Sequence, residues 1–325
     1  MQKLVSVIMP CYNQAQYVRE SIESVLNQTY QNIELLLIDN ASTDGTKEVI
    51  KEFEKKDKRI VAIYHKKNLR FETSFTEGMG LAKGEYLAFT SSDDVWLQQK
   101  LDVQIAVLET HPEYDIVHSD ALIIDENGNE KGTIREFYRL DPKEATGDVF
   151  HSLTKKNICC TSTVLIRRKC LQTADEWDPS LSFAHDWWLY LTYSRKHRFF
   201  YLTKTLAKYR VHSTNTTKKI NWVYTDYAII HKRLADQGID PKEHLMKAAL
   251  SYARIGNVSK AIEMIKAAET HGKLTFKERC IKFFISTFGN TGWLIGALNI
   301  GRHTLLWIDY KFKTKKFRTK NGADT

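Results

Sequence analysis

The first hundred residues alternate in a way that leaves few folds open. Four short apolar runs rich in β-branched residues, LVSVIM (4–9), IELLLID (33–39), IVAIY (60–64) and YLAFT (86–90), punctuate this stretch. Helical spacing fills the first two gaps. In QYVRESIESVLNQ, Val18, Ile22, Val25 and Leu26 recur on one face, and in TKEVIKEFEKK, Val49, Ile50 and Phe53 do so. Runs that are apolar on both faces read as strands covered from both sides, and strand–helix alternation builds βαβ units. The expected fold class is therefore α/β, with a mostly parallel central sheet flanked by helices.

Beyond Leu101 the pattern stays mixed. DIVHSDALII (115–124), TSTVLIRR (161–168) and FFYLTKTLAKYRVH (199–212) look like strands, and the stretch from His185 to Arg195 looks helical. Near residue 220 the character changes. HLMKAALSYARIGNVSKAIEMIKAAE (244–269) holds two short amphipathic helices broken at Gly256 and Asn257, an αα-hairpin like one tetratricopeptide-type unit. A single copy makes no solenoid, so it reads as a helical appendage. Residues 283–301 carry no charge, but Ser, Thr, Asn and Gly interrupt them, short of a clean membrane-spanning stretch. KFKTKKFRTK (311–320) then supplies six basic residues and two Phe. Two readings stay open: an anchor on an anionic membrane surface, or a buried helix with a solvated tail. The expected division is 1–220, a main domain; 221–280, the helical appendage; and 281–325, an apolar and basic C-terminal segment.

Composition narrows the function classes. Of 325 residues, 42% are apolar and 27% charged, an ordinary globular balance. The net charge of +9 would suit nucleic acid, an anionic membrane or phosphorylated ligands. Aromatic residues are interleaved with the basic ones only in the last fifteen or so positions, and no nucleic-acid module is visible, so no nucleic-acid partner is expected. Five cysteines (Cys11, Cys159, Cys160, Cys170, Cys280) show no C-x-x-C spacing, which suggests reduced thiols rather than a disulfide framework or zinc site. MQKLVSVIMP runs straight into a strand without a basic leader and cleavable apolar stretch, so no signal peptide is expected and the location reads as cytoplasmic.

In an open α/β sheet, ligands bind at the carboxyl ends of the strands. Three polar clusters fall there: MPCYNQAQY after the first strand, IDNASTDGT after the second and TSSDD after the fourth. Each has a plain structural account. PCYNQ and NASTDG can be turns with helix caps. SSDD can cap VWLQQKLDVQIAVL, whose Val95, Leu101, Ile105 and Leu108 mark an amphipathic helix. Nucleotide binding would unify the three. Asp39 could accept from a base or ribose, Tyr12 could stack on a base, and Asp93 could accept from ribose hydroxyls. Asp94 could hold a hard cation that neutralises a diphosphate. The glycine-rich GMGLAKG (78–84) precedes a strand and lacks G-x-G-x-x-G spacing, and no Walker-type motif occurs.

The order of these motifs resembles the family-two glycosyltransferases, inverting enzymes of the GT-A fold that use nucleotide-diphosphate sugars. VSVIMPCYNQAQYVRESIESVLNQTYQNIELLLIDNASTDGT is similar to the family's opening, and AKGEYLAFTSSDD to the segment ending in its metal motif. FAHDWWLYL is similar to the segment carrying the base, and YRVHSTNTT to the Y-R-x-H-x-x-N stretch that follows. The resemblance spans residues 4–217. It implies that Pro10, Tyr12, Asn13, Asp39, Ser42 and Asp44 shape the nucleotide pocket, with Asp93 near the ribose. It implies further that Asp94 binds Mn²⁺ or Mg²⁺, that His212 touches metal or diphosphate, and that Asp186 is the base. Two positions depart: Ser91 stands where relatives often carry Asp, and His185 where Glu commonly precedes the base.

The expected activity is transfer of a sugar from a nucleotide-diphosphate donor, UDP-sugar foremost, to an acceptor hydroxyl with inversion. The expected acceptor is a cell-surface polysaccharide or lipid-linked glycan, with the enzyme peripheral on the inner face of the plasma membrane. The competing classes are a non-catalytic nucleotide-sugar binding module and, further off, a nucleic-acid-binding protein.

Overall fold

A computed structural model describes residues 2–69, 71–173 and 180–288. The chain divides into two compact units, Met1–Pro179 with His185–Asn215, and Ser180–Ala184 with Thr216–Thr325.

The first unit opens with β1 (Val5–Cys11), α1 (Val18–Leu26), β2 (Ile33–Asp39), α2 (Thr46–Lys56), β3 (Ile60–Tyr64), α3 (Phe71–Leu81) and β4 (Tyr86–Phe89). It continues through β5 (Val95–Trp96), α4 (Lys100–Thr110), β6 (Ile116–Asp125), β7 (Glu130–Thr133), α5 (Ile134–Tyr138) and α6 (Phe150–Lys155). It ends with β8 (Leu165–Arg167), α7 (His185–Tyr193) and β9 (Phe199–Val211). Among the described residues the strands form one sheet in the order β3-β2-β1-β4-β8-β6-β9-β5, with β7 paired to β6.

The sheet has two halves. β3, β2, β1 and β4 are parallel, and every residue of β1, β2 and β4 is buried. That explains their unbroken apolar runs, because helices cover both faces. α1 turns Val18, Ile22, Val25 and Leu26 onto the sheet. Each such buried aliphatic side chain contributes about 1.5–3 kcal/mol. Beyond β4 the sheet is mixed: β8 runs antiparallel to β4 and β6, β9 parallel to β6, and β5 antiparallel to β9.

The glycine-rich GMGLAKG stretch serves packing. A Cβ on Gly78 would lie 2.5 Å from the Ile8 Cγ2, and one on Gly84 2.6 Å from the Leu4 carbonyl oxygen and the Ser6 nitrogen. Helix α3 and the turn into β4 can approach β1 closely only because those side chains are missing.

Two local readings of the sequence change. The SSDD stretch does not cap the helix that follows, because α4 begins at Lys100 and its N-cap, Gln99, makes no side-chain cap. Val95 and Trp96 instead pair with Lys208 and Ala207 of β9, which buries the Trp96 ring. Edge pairing satisfies those apolar residues better than an exposed first helical turn. TSTVLIRR is likewise only partly a strand: Thr161–Thr163 form a 3-10 turn before β8. The Thr163 N–H and hydroxyl both donate to the Cys160 carbonyl, at 2.8 and 2.7 Å, which coils the chain before it can extend.

The second unit consists of α8 (Ile220–Asp236), α9 (Pro241–Arg254), α10 (Val258–Thr270) and α11 (Phe276–Phe288). Leu245, Met246, Ala249 and Tyr252 of α9 pack with Ala261, Met264 and Ile265 of α10. Gly256, at φ 76°, makes the left-handed turn between them, and the Asn257 side chain caps α10 by accepting from the Lys260 N–H. On α8 the buried Asp226 accepts three backbone N–H groups, from Ser182, Phe183 and Ala184, at 2.8, 2.6 and 2.9 Å. Of the uncharged stretch 283–301 only the first residues fall in α11; its remainder and the basic tail 311–320 lie outside the described residues. Among the described residues no helix is long and apolar enough to cross a membrane. All five cysteines are free thiols.

Candidate active site

The register of the parallel half sets Cys11 beside Asp39 and Ile8 beside Phe89, so β1, β2 and β4 end on one rim. Pro10 is buried in β1 beyond the last residue paired with β4, where its missing N–H costs no ladder bond on that side.

The first two rim loops are knitted together. Asn13, at φ 52°, donates its N–H to the Ser42 hydroxyl at 3.0 Å, and its side-chain oxygen accepts from the Thr43 N–H at 2.9 Å. One Asp44 oxygen accepts from the Ala15 N–H at 2.9 Å, and the other accepts from the Thr46 N–H and hydroxyl. Burial pushes the Asp44 carboxyl up, but the Thr46 hydroxyl and the backbone N–H donors outweigh it and hold it below its ordinary value. Asp44 and Ser42 therefore brace the loops. Asp39, wholly buried, receives among the described residues one N–H at its carboxylate, that of Ser42, at 3.3 and 3.4 Å from its two oxygens. It keeps acceptor capacity for an incoming donor group. Tyr12, which follows the Cys11 paired with Asp39, stands 45% exposed, with its ring open to stacking. Asn40 pairs with both backbone groups of Leu69, accepting from its N–H at 2.6 Å and donating to its carbonyl, and so fixes the loop after β3.

The third cluster is held from the other half of the sheet. One Asp94 oxygen accepts from the Ser162 hydroxyl and the other from the Arg210 N–H at 2.9 Å. Asp93 receives the His212 Nε2 at 2.8 Å and the Asn215 amide at 3.2 Å, both on Oδ2. The Arg210 guanidinium binds the Asp93 carbonyl at 2.9 Å, reaches Glu20 of α1 at 2.5 Å, and lies over the Tyr17 ring. His212 thus faces Asp93, the neighbour of the Asp94 with which the sequence grouped it. Burial, and then the adjacent Asp93 charge, push the Asp94 carboxyl well up.

Asp186 sits in the first turn of α7. Its Oδ2 accepts from the Thr161 hydroxyl at 2.8 Å and the Asn157 amide at 3.1 Å, and its Oδ1 from the Trp187 N–H at 2.7 Å. Burial raises this carboxyl above its ordinary range, although those three donors pull it down. His185 next to it turns to Glu72 of α3, at 3.2 Å.

Thr161, Ser162, Asn157 and Asn40 were not singled out from the sequence. Each is a small polar residue whose partner lies 25 or more positions away. Arg210 and Asn215 were visible only as parts of YRVHSTNTT.

Among the described residues no group of three or more His, Cys, Asp and Glu side chains is arranged to hold a metal ion by itself. The pair present still fits an ion shared with a ligand. Among the described residues each Asp94 oxygen accepts one hydrogen bond and so keeps a second lone pair, and Asp93 Oδ1 has no partner. One or two carboxylates completed by phosphate oxygens is a common way to bind Mg²⁺.

Comparison with known proteins bears on the family and the fold. The model of the family "Glycosyl transferase family 2" matches residues 6–174. The uncharacterized glycosyltransferase MJ1057 of Methanocaldococcus jannaschii is 31% identical over 212 residues, covering 64% of this chain and 71% of that protein. The putative teichuronic acid biosynthesis glycosyltransferase TuaG of Bacillus subtilis is 29% identical over 237 residues, covering 70% of this chain and 90% of its own. The crystal structure of S. aureus TarS 1-349 in complex with UDP-GlcNAc has a TM-score of 0.60 at 16% identity, covering 95% of this chain and 92% of that one. The family model spans more than half of the sequence and the sheet has structural counterparts: the chain belongs to glycosyl transferase family 2 and has the GT-A fold.

Proposed function

We propose that the protein transfers a sugar from a nucleotide-diphosphate donor, a UDP-sugar in the first instance, to an acceptor hydroxyl with inversion. The observation that carries this reading is the pairing within one unit of two unlike carboxylate sites. One is the adjacent pair Asp93 and Asp94 at the end of β4; the other is the separate Asp186, of raised pKa, on α7. Pro10, Tyr12, Asn13, Asp39, Ser42 and Asp44 form the nucleotide end, with Asp39 accepting from base or ribose and Tyr12 stacking.

Asp94, with Asp93 beside it and His212 behind Asp93, would hold Mn²⁺ or Mg²⁺ together with the diphosphate. Two adjacent buried carboxylates repel each other, and a divalent cation relieves that repulsion. Bound there, the cation would neutralise charge that develops on the leaving diphosphate.

Asp186 acts as the base. Its oxygen accepts the acceptor hydroxyl's proton as that hydroxyl's oxygen bonds to the anomeric carbon. The bond from that carbon to the diphosphate oxygen breaks on the opposite side, its electron pair leaves with the phosphate, and the centre inverts. A raised pKa makes the carboxylate a better proton acceptor near neutral pH.

TarS binds UDP-GlcNAc and TuaG carries a teichuronic-acid assignment, which favour a UDP-sugar donor and a surface-glycan acceptor here. A membrane-side location fits α11, where Phe276 and Phe283 are 76% and 58% exposed and basic Lys277 and Arg279 share the helix. Co-sedimentation with anionic vesicles, lost in Phe276→Ala/Phe283→Ala, checks that part.

The central test is a nucleotide-sugar panel, with and without Mn²⁺ or Mg²⁺, scored by hydrolysis, transfer and thermal shift. A UDP-sugar should stabilise the protein and turn over with cation. Asp186→Asn should keep donor binding and lose transfer. Silence across the whole panel, or an Asp186→Asn enzyme with full transfer, would sink the reading.

A further inference from the structure

The two unlike carboxylates are held by neighbouring residues. Thr161 donates to Asp186 Oδ2 at 2.8 Å, and Ser162, the next residue, donates to Asp94 Oδ2. A trans peptide sets consecutive Cα atoms about 3.8 Å apart.

Both hydroxyl protons are committed. The Ser162 oxygen accepts from the Ser91 N–H at 3.2 Å, which leaves its one proton for Asp94. The Thr161 oxygen receives the Tyr190 hydroxyl at 3.5 Å and gives its proton to Asp186. The turn itself is pinned. Thr163 donates twice to Cys160, and the buried Gln104 amide donates to the Thr163 carbonyl at 2.6 Å. Ser162 and Thr163 are 1% and 0% exposed, so water has little access to replace their bonds; Thr161 and Asp186 are half-buried. Ser91 enters here too: its backbone N–H fixes the rotor of Ser162, whatever its own side chain does.

We propose, on the basis of the function proposed above, that Thr161 and Ser162 are positioning residues that set the base and the cation-binding carboxylate on one rigid support. Thr161 orients Asp186 toward the acceptor oxygen, and Ser162 orients Asp94 toward the diphosphate. Because one turn carries both, the distance between the acceptor site and the leaving group is fixed by the protein before either substrate arrives.

The test compares Thr161→Val, Thr161→Ser, Ser162→Ala and the double variant Thr161→Val/Ser162→Ala, with donor and acceptor from the active panel member. A misplaced reacting group costs up to about 100-fold in rate. Thr161→Val should lower kcat about 10- to 100-fold with donor KM within about twofold, and Thr161→Ser should restore most of it. The acid limb of the pH–rate profile should move up in Thr161→Val, because a hydrogen bond to the ionised Asp186 is gone, and return in Thr161→Ser. Ser162→Ala should raise the half-activating cation concentration about 10-fold or more, the usual cost of losing a ligand's supporting partner, and leave the acid limb in place. The double variant should lose less than the product of the two single losses, because the support is shared.

The inference is overturned if Thr161→Val turns over at the wild-type rate, or if Thr161→Ser fails to rescue a folded protein. Unchanged cation dependence in Ser162→Ala also overturns it. These outcomes are separable from failure of the functional reading. Asp186→Asn inactive with Thr161→Val normal removes only the support; Asp186→Asn fully active removes the reading beneath it.

Discussion

The two halves of the sheet divide the work of the site differently. The parallel half, β3-β2-β1-β4, presents acceptors at its rim: Asp39 and, just beyond β4, Asp93 and Asp94. The mixed half and its connections present the donors that hold them: Ser162 before β8, and Arg210, His212 and Asn215 at the end of β9. Within the first two loops the bracing is local and largely backbone-based, as in the Asp44 contacts with Ala15 and Thr46. The β4 carboxylates are braced by groups 68 to 122 positions away. In the proposed mechanism, binding groups and positioning groups thus come from different parts of the chain. A variant in the second half can alter the chemistry without touching a ligand.

Asp186→Asn offers the largest test of that division. The amide keeps the shape and can still meet Thr161 and Trp187, but cannot take a proton. We expect kcat to fall about 10²- to 10⁴-fold, the usual worth of a positioned base, with donor affinity within a few-fold. In the proposed mechanism, activity needs Asp186 ionised. Because its carboxyl is raised by burial, the acid limb should lie above the ordinary carboxylate range, and activity should fall as pH drops through it. Initial-rate kinetics across pH checks both.

Next in size is a stability effect in the region that joins the halves. Lys100 is wholly buried, its Nζ 3.9 Å from the Trp96 ring centroid and 2.7 Å from the Gln104 side-chain oxygen. Burial pulls its pKa from 10.5 to about 7. The unfolded chain then binds more protons than the folded one between those values. This group therefore makes stability rise as pH rises from about 7 toward 10.5, with a slope on the order of 1 kcal/mol per pH unit. Lys100→Met should flatten that rise and raise stability most at pH 7, measured by urea unfolding at several pH values. An equal slope in both proteins would mean that water reaches the ammonium.

How much could be read in advance follows the same split. The four strands of the parallel half and its first two helices, α1 and α2, show in the sequence because each is set by its own local periodicity, whereas α3, interrupted by Gly78 and Gly80, carries no such signal. In the other half the signals of α4, β6, β8, α7 and β9 also show; the short β7, α5 and α6 do not, and neither does β5, since Val95 and Trp96 become a strand only through β9. The turn at Thr161 hides because β-branched Thr and Val mimic a strand, and what coils it is the pair of bonds from the Thr163 N–H and hydroxyl to Cys160. Carboxylates at strand ends attract notice as residue types. Their partners are Ser, Thr and Asn, which occur everywhere, and nothing in a sequence points from Ser162 to Asp94.

His212→Ala probes the donor half with a smaller effect. The ring meets Asp93 Oδ2 through Nε2, and its Nδ1 is braced by the Thr214 hydroxyl at 2.8 Å. Losing it leaves Asp93 one fewer donor. The half-activating Mn²⁺ concentration should rise about 10- to 100-fold, with the acid limb of the rate profile unmoved. If that limb moved and cation dependence did not, His212 would belong with the base and the division drawn above would fail.

The smallest effect should come from the ion pair that crosses between the halves. Glu20 of α1 meets the Arg210 guanidinium at 2.5 Å, but its side chain is 59% exposed while that of Arg210 is only 4% exposed. Water and salt screen such a pair, so Glu20→Gln should cost about 0.5 kcal/mol or less. The guanidinium would keep its bond to the Asp93 carbonyl and its place over Tyr17. Arg210→Ala, by contrast, removes those contacts from a buried position, and its loss should be several times larger. Thermal melts of both variants at low and high salt separate the two contributions. If Glu20→Gln matched Arg210→Ala, the halves would be joined chiefly by charge, and the placement of Asp93 and Asp94 would vary with ionic strength. If it does not, the join is the buried bond network around Arg210, and the geometry of the site is independent of salt.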